Sequence, residues 1–250
     1  MSSELRLAGQ TALITGAARR VGAQIARTLH TEGASVMIHC HRSLEPAQRL
    51  AAELNALRAG SAEVSCFDLC DTTGLPRLVA STCERFGGLD LLINNASTFY
   101  PTPLGSVTVR QWQDLMGTNL QAPLFLAQAA ATALKARRGA VLNIVDIHGL
   151  RPLREHPVYS VAKAGLIMLT RALARELAPE VRVNAIAPGA VLWPERGLDD
   201  QRKDRILEQT PLHRPGSPTD VARTVLFFAA DAPFVTGQIL AIDGGRSIGW

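Results

Sequence analysis

Apolar, β-branched runs alternate with stretches of helical period along the whole chain, and this alternation constrains its fold more than any other feature. The runs fall at 12–15, 35–39, 63–67, 89–93, 140–145, 182–186 and 239–242. Helical periods lie between them, at 22–32, 46–58, 74–86, 109–136, 157–178 and 219–230. Strands separated by helices pair in parallel through right-handed crossovers, with helices on both faces of the sheet. No linker, repeat or compositional break divides the 250 residues, so one α/β domain is expected over 1–250. The stretch 189–218, "GAVLWPERGLDDQRKDRILEQTPLHRPGSP", is too long for an ordinary connection. It reads as a lid over the substrate or a disordered insertion, and its apolar "AVLW" start favours the lid.

Composition removes several function classes. Lys and Arg number 26 against 22 Asp and Glu, a balance that gives no nucleic-acid footprint; Arg137-Arg138 and Arg202-Lys203 read as solvated faces. No segment reaches the ~18 apolar residues of a membrane span, and the opening "MSSELRLAGQ" lacks an apolar stretch of signal-peptide length. Cys40, Cys66, Cys70 and Cys83 form no CxxC pair and lie in or near apolar segments. Reduced thiols and a cytoplasmic location are the expectation. "HCH", His39 to His41, invites a metal, but strand alternation sends Cys40 away from both histidines and no further ligand cluster follows, so no metal is expected.

"TGAARRVG", Thr15 to Gly22, follows the first strand and opens the first helix. Glycines there let the backbone approach a pyrophosphate seated on the helix N-terminus; Gly16, Arg20 and Val21 are candidate cofactor contacts, the bare alternative being a tight turn without ligand. After the second strand the chain reads "HCHRS", with no acid before Glu45 to take a ribose 2′-hydroxyl. Arg42 and Ser43 suit a 2′-phosphate instead, with His39 and His41 beside them as further candidate cofactor contacts, so NADPH/NADP+ is expected, although Arg42 alone also reads as a solvated loop cation. Asp68 after the third strand and Asn95, Ala96 and Ser97 in "NNAS" after the fourth lie at C-terminal strand ends, where open α/β sheets bind ligands.

"YSVAK" sets Tyr159 and Lys163 at i and i+4 on one helix face, where an ammonium is expected to draw a phenol toward its ionised form. With the glycine loop, "NNA" and "PG" (Pro188-Gly189), the spacing resembles the short-chain dehydrogenase/reductase family over essentially the whole chain. The resemblance implies a single-domain Rossmann-type, doubly wound parallel sheet of about seven strands, and hydride transfer from a nicotinamide. It implies further that Tyr159 donates a proton, that Lys163 binds the nicotinamide ribose, that Asn119 of "GTNL" supports a proton relay, and that the protein is a homotetramer built on the helices near 109–136 and 157–178.

Three departures from the general family pattern carry more information. Asp146 of "NIVDIHG" stands where the family has a serine, "NNAS" continuing "TFYPTPL" replaces "NNAG", and Arg20 replaces the middle glycine. Together with "HRS" they resemble the pteridine reductase branch, which implies a pterin or folate substrate. A pterin is flat and edged with donors and acceptors. Phe99 offers it a ring face, Arg20 a bridge between pyrophosphate and pterin edge, and Ser97 a hydrogen bond. Asp146 would protonate a ring nitrogen, replenished through Tyr159, or else merely cap or salt-bridge. Leu192 and Trp193 form the apolar lid wall, or Trp193 simply packs. Arg19 is a solvent-facing or phosphate-edge charge. A carbonyl reductase acting on a 3-oxoacyl thioester, which Asp146 fits poorly, and a non-catalytic NADP(H) sensor remain as alternatives. The C-terminal "GGRSIGW" is expected to pack against a neighbouring subunit near the substrate mouth.

Overall fold

A computed structural model describes residues 5–193 and 199–248; the Gly249 and Trp250 end of the tail lies outside the described residues. Seven strands form one parallel sheet in the order β3-β2-β1-β4-β5-β6-β7. They are β1 Thr11–Ile14, β2 Ser35–Cys40, β3 Ala62–Cys66, β4 Leu91–Asn94, β5 Ala140–Ile144, β6 Arg182–Pro188 and β7 Ile239–Ile242. Each expected run forms a strand with ends shifted by two residues or fewer. β4 begins at Leu91 rather than 89 because Asp90 serves as a brace, its carboxylate accepting the Thr11 N–H at 2.8 Å. The helices are α1 Arg20–Thr31, α2 Leu44–Leu57, α3 Leu75–Phe86, α4 Val109–Met116, α5 Ala122–Arg137, α6 Pro157–Glu176, α7 Asp200–Glu208 and α8 Pro218–Leu226.

Burial on both faces explains why the strands read as continuous apolar runs rather than alternating ones. One core joins Ile14, Ile38 and Ile93 to the inner faces of α1, α2 and α8 through Ile25, Leu50 and Val225. A second joins Leu13, Leu92 and Val141 to α3 and α5 through Leu78 and Leu126. Helix starts follow local rules: Thr108 with Gln111 and Ser217 with Asp220 form reciprocal capping boxes, and Pro157 opens α6.

Two expectations change. The single helical period at 109–136 is broken by a π-helical turn at Gly117–Gln121. Pro123 has no N–H to continue an ordinary helix, and the wider turn takes up the interruption by closing on the Gly117 carbonyl from Ala122 N–H. The stretch 189–218 is not wholly irregular, because α7 lies inside it, capped by the Asp199 side chain on Arg202 N–H at 2.8 Å. Residues 194–198 of that stretch lie outside the described residues. Among the described residues no helix is long and apolar enough to cross a membrane.

Candidate active site

β1 and β4 are neighbours although β2 and β3 leave on the other side, so the chain reverses direction across the sheet between them. The crevice at the carboxyl ends of such strands is where an open sheet has free backbone and diverging loops. A cleft of about 570 Å3 occupies that position, lined by the glycine loop, the ends of β2, β4, β5 and β6, and the start of α6.

The glycine loop is built for close approach. Gly16 has φ +61, and a Cβ there would lie 2.9 Å from Ala96 Cα, so a side chain is excluded by both conformation and space. Arg20 also adopts a left-handed backbone, φ +53. The loop keeps the conformation that a glycine would take freely, and holding a side chain in it costs about 1–2 kcal/mol. The guanidinium offsets some of that strain by donating from Nη2 to the Trp193 carbonyl at 3.2 Å, which ties the loop to the start of the lid.

Two neighbours clamp this loop. Asn95 Nδ2 donates to the Thr15 and Gly16 carbonyls at 2.9 and 3.1 Å, and the Asn95 and Ala96 N–H groups donate to Thr15 Oγ1. His39, 1% exposed, accepts the Gly16 N–H on Nδ1 at 3.3 Å and donates from Nε2 to the Phe67 carbonyl at 3.0 Å. That pattern requires the neutral ring, and burial lowers its pKa to about 4. His39 therefore joins three strand ends as well as lining the cleft, a role its residue type does not announce.

A stability slope follows from the lowered His39 pKa. Between about pH 4 and 6.5 the unfolded chain binds a proton at His39 that the folded chain refuses, so stability rises with pH through that window and is lost on acidification. The expected loss at this residue between pH 6.5 and 4 is roughly 2–3 kcal/mol. Urea unfolding of His39→Gln should lack that part of the slope; an identical slope in both proteins would remove His39 from the account.

At the β5 end, Asp146 Oδ1 accepts the His148 N–H at 2.8 Å and Oδ2 accepts the Tyr159 hydroxyl at 2.7 Å. Tyr159 is 4% exposed, and burial followed by the adjoining Asp146 charge holds its pKa well above 10, with the Ser97 hydroxyl opposing weakly. This reverses the sign expected from the Tyr159–Lys163 spacing. The Lys163 Nζ lies 5.7 Å from the phenol ring centroid, whereas a carboxylate touches the hydroxyl directly. Lys163 is 2% exposed, with its pKa lowered to about 8 by burial, and its Nζ donates to the Ile144 carbonyl at 3.0 Å. Its remaining N–H groups are available at the cleft, which it lines.

The other expected residues divide into those the cleft gathers and those it does not. Val21, His41, Arg42, Ser43, Asp68, Ser97, Phe99, Pro188, Gly189 and Leu192 all line it. Arg42 has no ion-pair or hydrogen-bond partner among the described residues, while His41 Nε2 lies 3.8 Å from Asp68 Oδ2. Phe99 stacks on His156, with centroids 4.7 Å apart, and meets Tyr159 edge-on at 4.8 Å. Nothing in the spacing around His156 signals that contact. Two residues are not brought to the wall. Asn119 is fully buried and spends its amide on Thr98 and Leu115 carbonyls and on the Ser97 hydroxyl, so its side chain fastens the Ser97 segment to the π-helical turn while Thr118 lines the cleft. Trp193 presents its carbonyl to Arg20, and Val191 stands on the wall beside Leu192.

The family profile described as Enoyl-(Acyl carrier protein) reductase matches residues 16–247. The chain belongs to the short-chain dehydrogenase/reductase family. It is 35% identical to a 3-oxoacyl-[acyl-carrier-protein] reductase, FabG, of Staphylococcus aureus, over 94% of this chain and 97% of the relative. A FabG of Staphylococcus epidermidis is 34% identical, over 94% and 98%. Pteridine reductase 1 of Leishmania tarentolae is 36% identical, over 95% and 96%. Membership makes the protein an NAD(P)-dependent oxidoreductase acting on a small molecule. The cleft fits a dinucleotide on its own terms: the Gly16 approach, the Thr15–Asn95 clamp and a buried ammonium with donors to spare all face one crevice.

Proposed function

We propose that this member of the short-chain dehydrogenase/reductase family reduces a ring C=N of a pterin or dihydrofolate with NADPH. The observation carrying this reading is the 2.7 Å hydrogen bond from the Tyr159 hydroxyl to Asp146 Oδ2. Bound reduced nicotinamide supplies the hydride. Before reaction Tyr159 holds its proton, because burial and Asp146 oppose its ionisation, and the bond points in the direction a relay needs, from phenol to carboxylate. At the hydride step the Tyr159 proton passes through Asp146 to the ring nitrogen beside the carbon that receives hydride, and the phenolate left behind regains a proton from solvent. Phe99 supplies the flat surface, and the Lys163 ammonium holds ribose hydroxyls. Arg20 joins the phosphate loop to the substrate edge. Asn119 contributes to the relay only through the backbone of its turn, its side chain being committed.

A 3-oxoacyl carbonyl reductase is the second reading. The FabG relatives, as similar in identity as the pteridine reductase, favour it. Against it stands the same hydrogen bond: a tyrosine that must give its proton to a ketone oxygen is here held by a competing carboxylate. NADPH oxidation against dihydrobiopterin, dihydrofolate and an acetoacetyl thioester decides between them. The proposal requires kcat/KM to be larger for a pterin or folate; efficient thioester reduction with poor pterin turnover transfers the assignment to the second reading.

The NADPH preference rests on Arg42 and Ser43, with no acid between the end of the second strand and Glu45. A charge-assisted hydrogen bond contributes about 1.5–3 kcal/mol, so Arg42→Ala is expected to weaken NADPH by roughly 10- to 150-fold and to leave NADH nearly unchanged. Equal losses for both in a fluorescence titration would remove Arg42 from this role. A homotetramer joined through α4, α5 and α6 belongs to the same reading, supported by Trp112, Leu124, Val161 and Met168, which remain exposed on those helices.

A further inference from the structure

A second set of reactive groups, away from Asp146, Tyr159 and Lys163, reaches the cleft through Cys40. Cys40 ends β2, Cys66 ends β3, and the two are register partners in the parallel sheet. Val36, Ile38 and Cys40 share one face with Ala62, Val64 and Cys66, so both thiols project to the side covered by α2. Adjacent strands lie about 4.8 Å apart, within the roughly 4.4–6.8 Å Cα separation that a disulfide spans. Cys66 is exposed and its Sγ lies 3.0 Å from the His41 carbonyl. Cys40 is 2% exposed, lines the cleft, and immediately precedes His41, Arg42 and Ser43. Burial first, and then the Cys66 thiol, push Cys40 up to about 11. The remaining cysteines differ: Cys70 has Thr118 Oγ1 at 3.5 Å, Cys83 sits in α3, and neither has a cysteine in register.

We propose that Cys40 and Cys66 are an oxidative modification site, at which a hydroperoxide converts the thiol pair to a cross-strand disulfide that closes the Arg42 end of the cleft. The exposed Cys66 thiolate attacks the peroxide; the O–O bond breaks, leaving a sulfenic acid and, from hydrogen peroxide, water. The Cys40 sulfur then attacks Cys66 Sγ as its own proton leaves; the S–S bond forms, the S–O bond breaks, and a second water departs. Two electrons pass from the sulfurs to the peroxide, and both thiol protons end in water. The bridge draws Cys66 Sγ off the His41 carbonyl and Cys40 Sγ off the Ser43 backbone N–H, two of the contacts that hold 41–43 in place. Both residues stand at strand ends, where few further pairings resist the shift. Formation of the bond depends only on the sheet register, whereas its effect on cofactor rests on the Arg42–Ser43 site described above.

The full-length reduced protein is treated with a small excess of hydrogen peroxide, blocked with N-ethylmaleimide and mapped by mass spectrometry. The expected result is a Cys40–Cys66 linked peptide lighter by two hydrogens, with Cys70 and Cys83 alkylated and dithiothreitol reversing the link. NADPH Kd should rise by roughly tenfold or more on oxidation, and Cys66→Ser should abolish both the link and the rise. Alkylation of Cys40 and Cys66 after peroxide overturns the site. A mapped link with unchanged NADPH affinity overturns the closure alone. If the reduced protein binds NADPH no better than NADH, the cofactor assignment fails while the mapped disulfide still decides the modification.

Discussion

Replacing Tyr159 with Phe is expected to lower kcat by roughly 10²–10⁴-fold while leaving NADPH binding close to normal. The substitution keeps the ring that meets Phe99 edge-on and removes only the hydroxyl that donates to Asp146 Oδ2. Fold and cofactor cleft therefore stay, and the source of the proton goes. Stopped-flow turnover with a saturating reducible substrate measures the loss, and fluorescence titration measures NADPH. Near-normal turnover would mean that Asp146 suffices alone, and the phenol-to-carboxylate relay would be wrong. The same geometry carries a pH signature. Since Tyr159 is held above its usual pKa, it does not ionise in the working range; Lys163, lowered to about 8, is the group that loses charge there. The alkaline limb of kcat/KM should accordingly fall as pH rises through about 8, as the free enzyme gives up its ribose-binding ammonium.

The second large effect is expected at Asp146, with Arg20 as its companion. Asp146→Ser installs the hydroxyl usual in the family, removes the acceptor that holds the Tyr159 proton, and frees that proton for an oxygen substrate. Reduction of a pterin C=N should drop by roughly 10²-fold or more, with ketone reduction spared or improved. Arg20→Gly restores the usual glycine and releases a left-handed backbone, so stability should rise by about 1 kcal/mol even though the bond to Trp193 is lost. NADPH should still bind, while pterin turnover falls well beyond any change in cofactor affinity, because polar pterin edges lose their partner in a dry site. Thermal unfolding and the three-substrate panel read both variants. Normal pterin reduction by Asp146→Ser would end the pterin assignment and leave the carbonyl reductase in its place.

Much of the cleft was legible before folding because its members sit beside local signals. Strand ends carry the ligand-facing loops in a parallel sheet, so locating seven apolar runs also located His39, Asp68, Asn95 and Pro188. Leu192 was legible for a similar reason, an apolar start to an otherwise polar connection. Trp193 sat in the same "AVLW" run and yet turns only its carbonyl to Arg20, since a run of four apolar residues cannot say which of them face inward. His156 gave no signal at all: its stack on Phe99 joins residues 57 positions apart by no periodic relation.

The sequence by itself determined the parallel α/β order, the glycine loop and the set of chemical groups, because strand and helix period, glycine and capping residues act over a few neighbours. Tertiary structure alone decided how those groups are used. It set Asp146 rather than Lys163 against the Tyr159 hydroxyl, which reversed the direction of the phenol's shift. It turned His39 and the Asn119 side chain into fasteners and spent Arg20 on the lid's backbone. It also brought Cys40 beside Cys66 through strand register. Hydrogen bonds and desolvation act over a few ångströms, and residues 13, 26 or 173 positions apart reach that range only when sheet register and helix packing place them there.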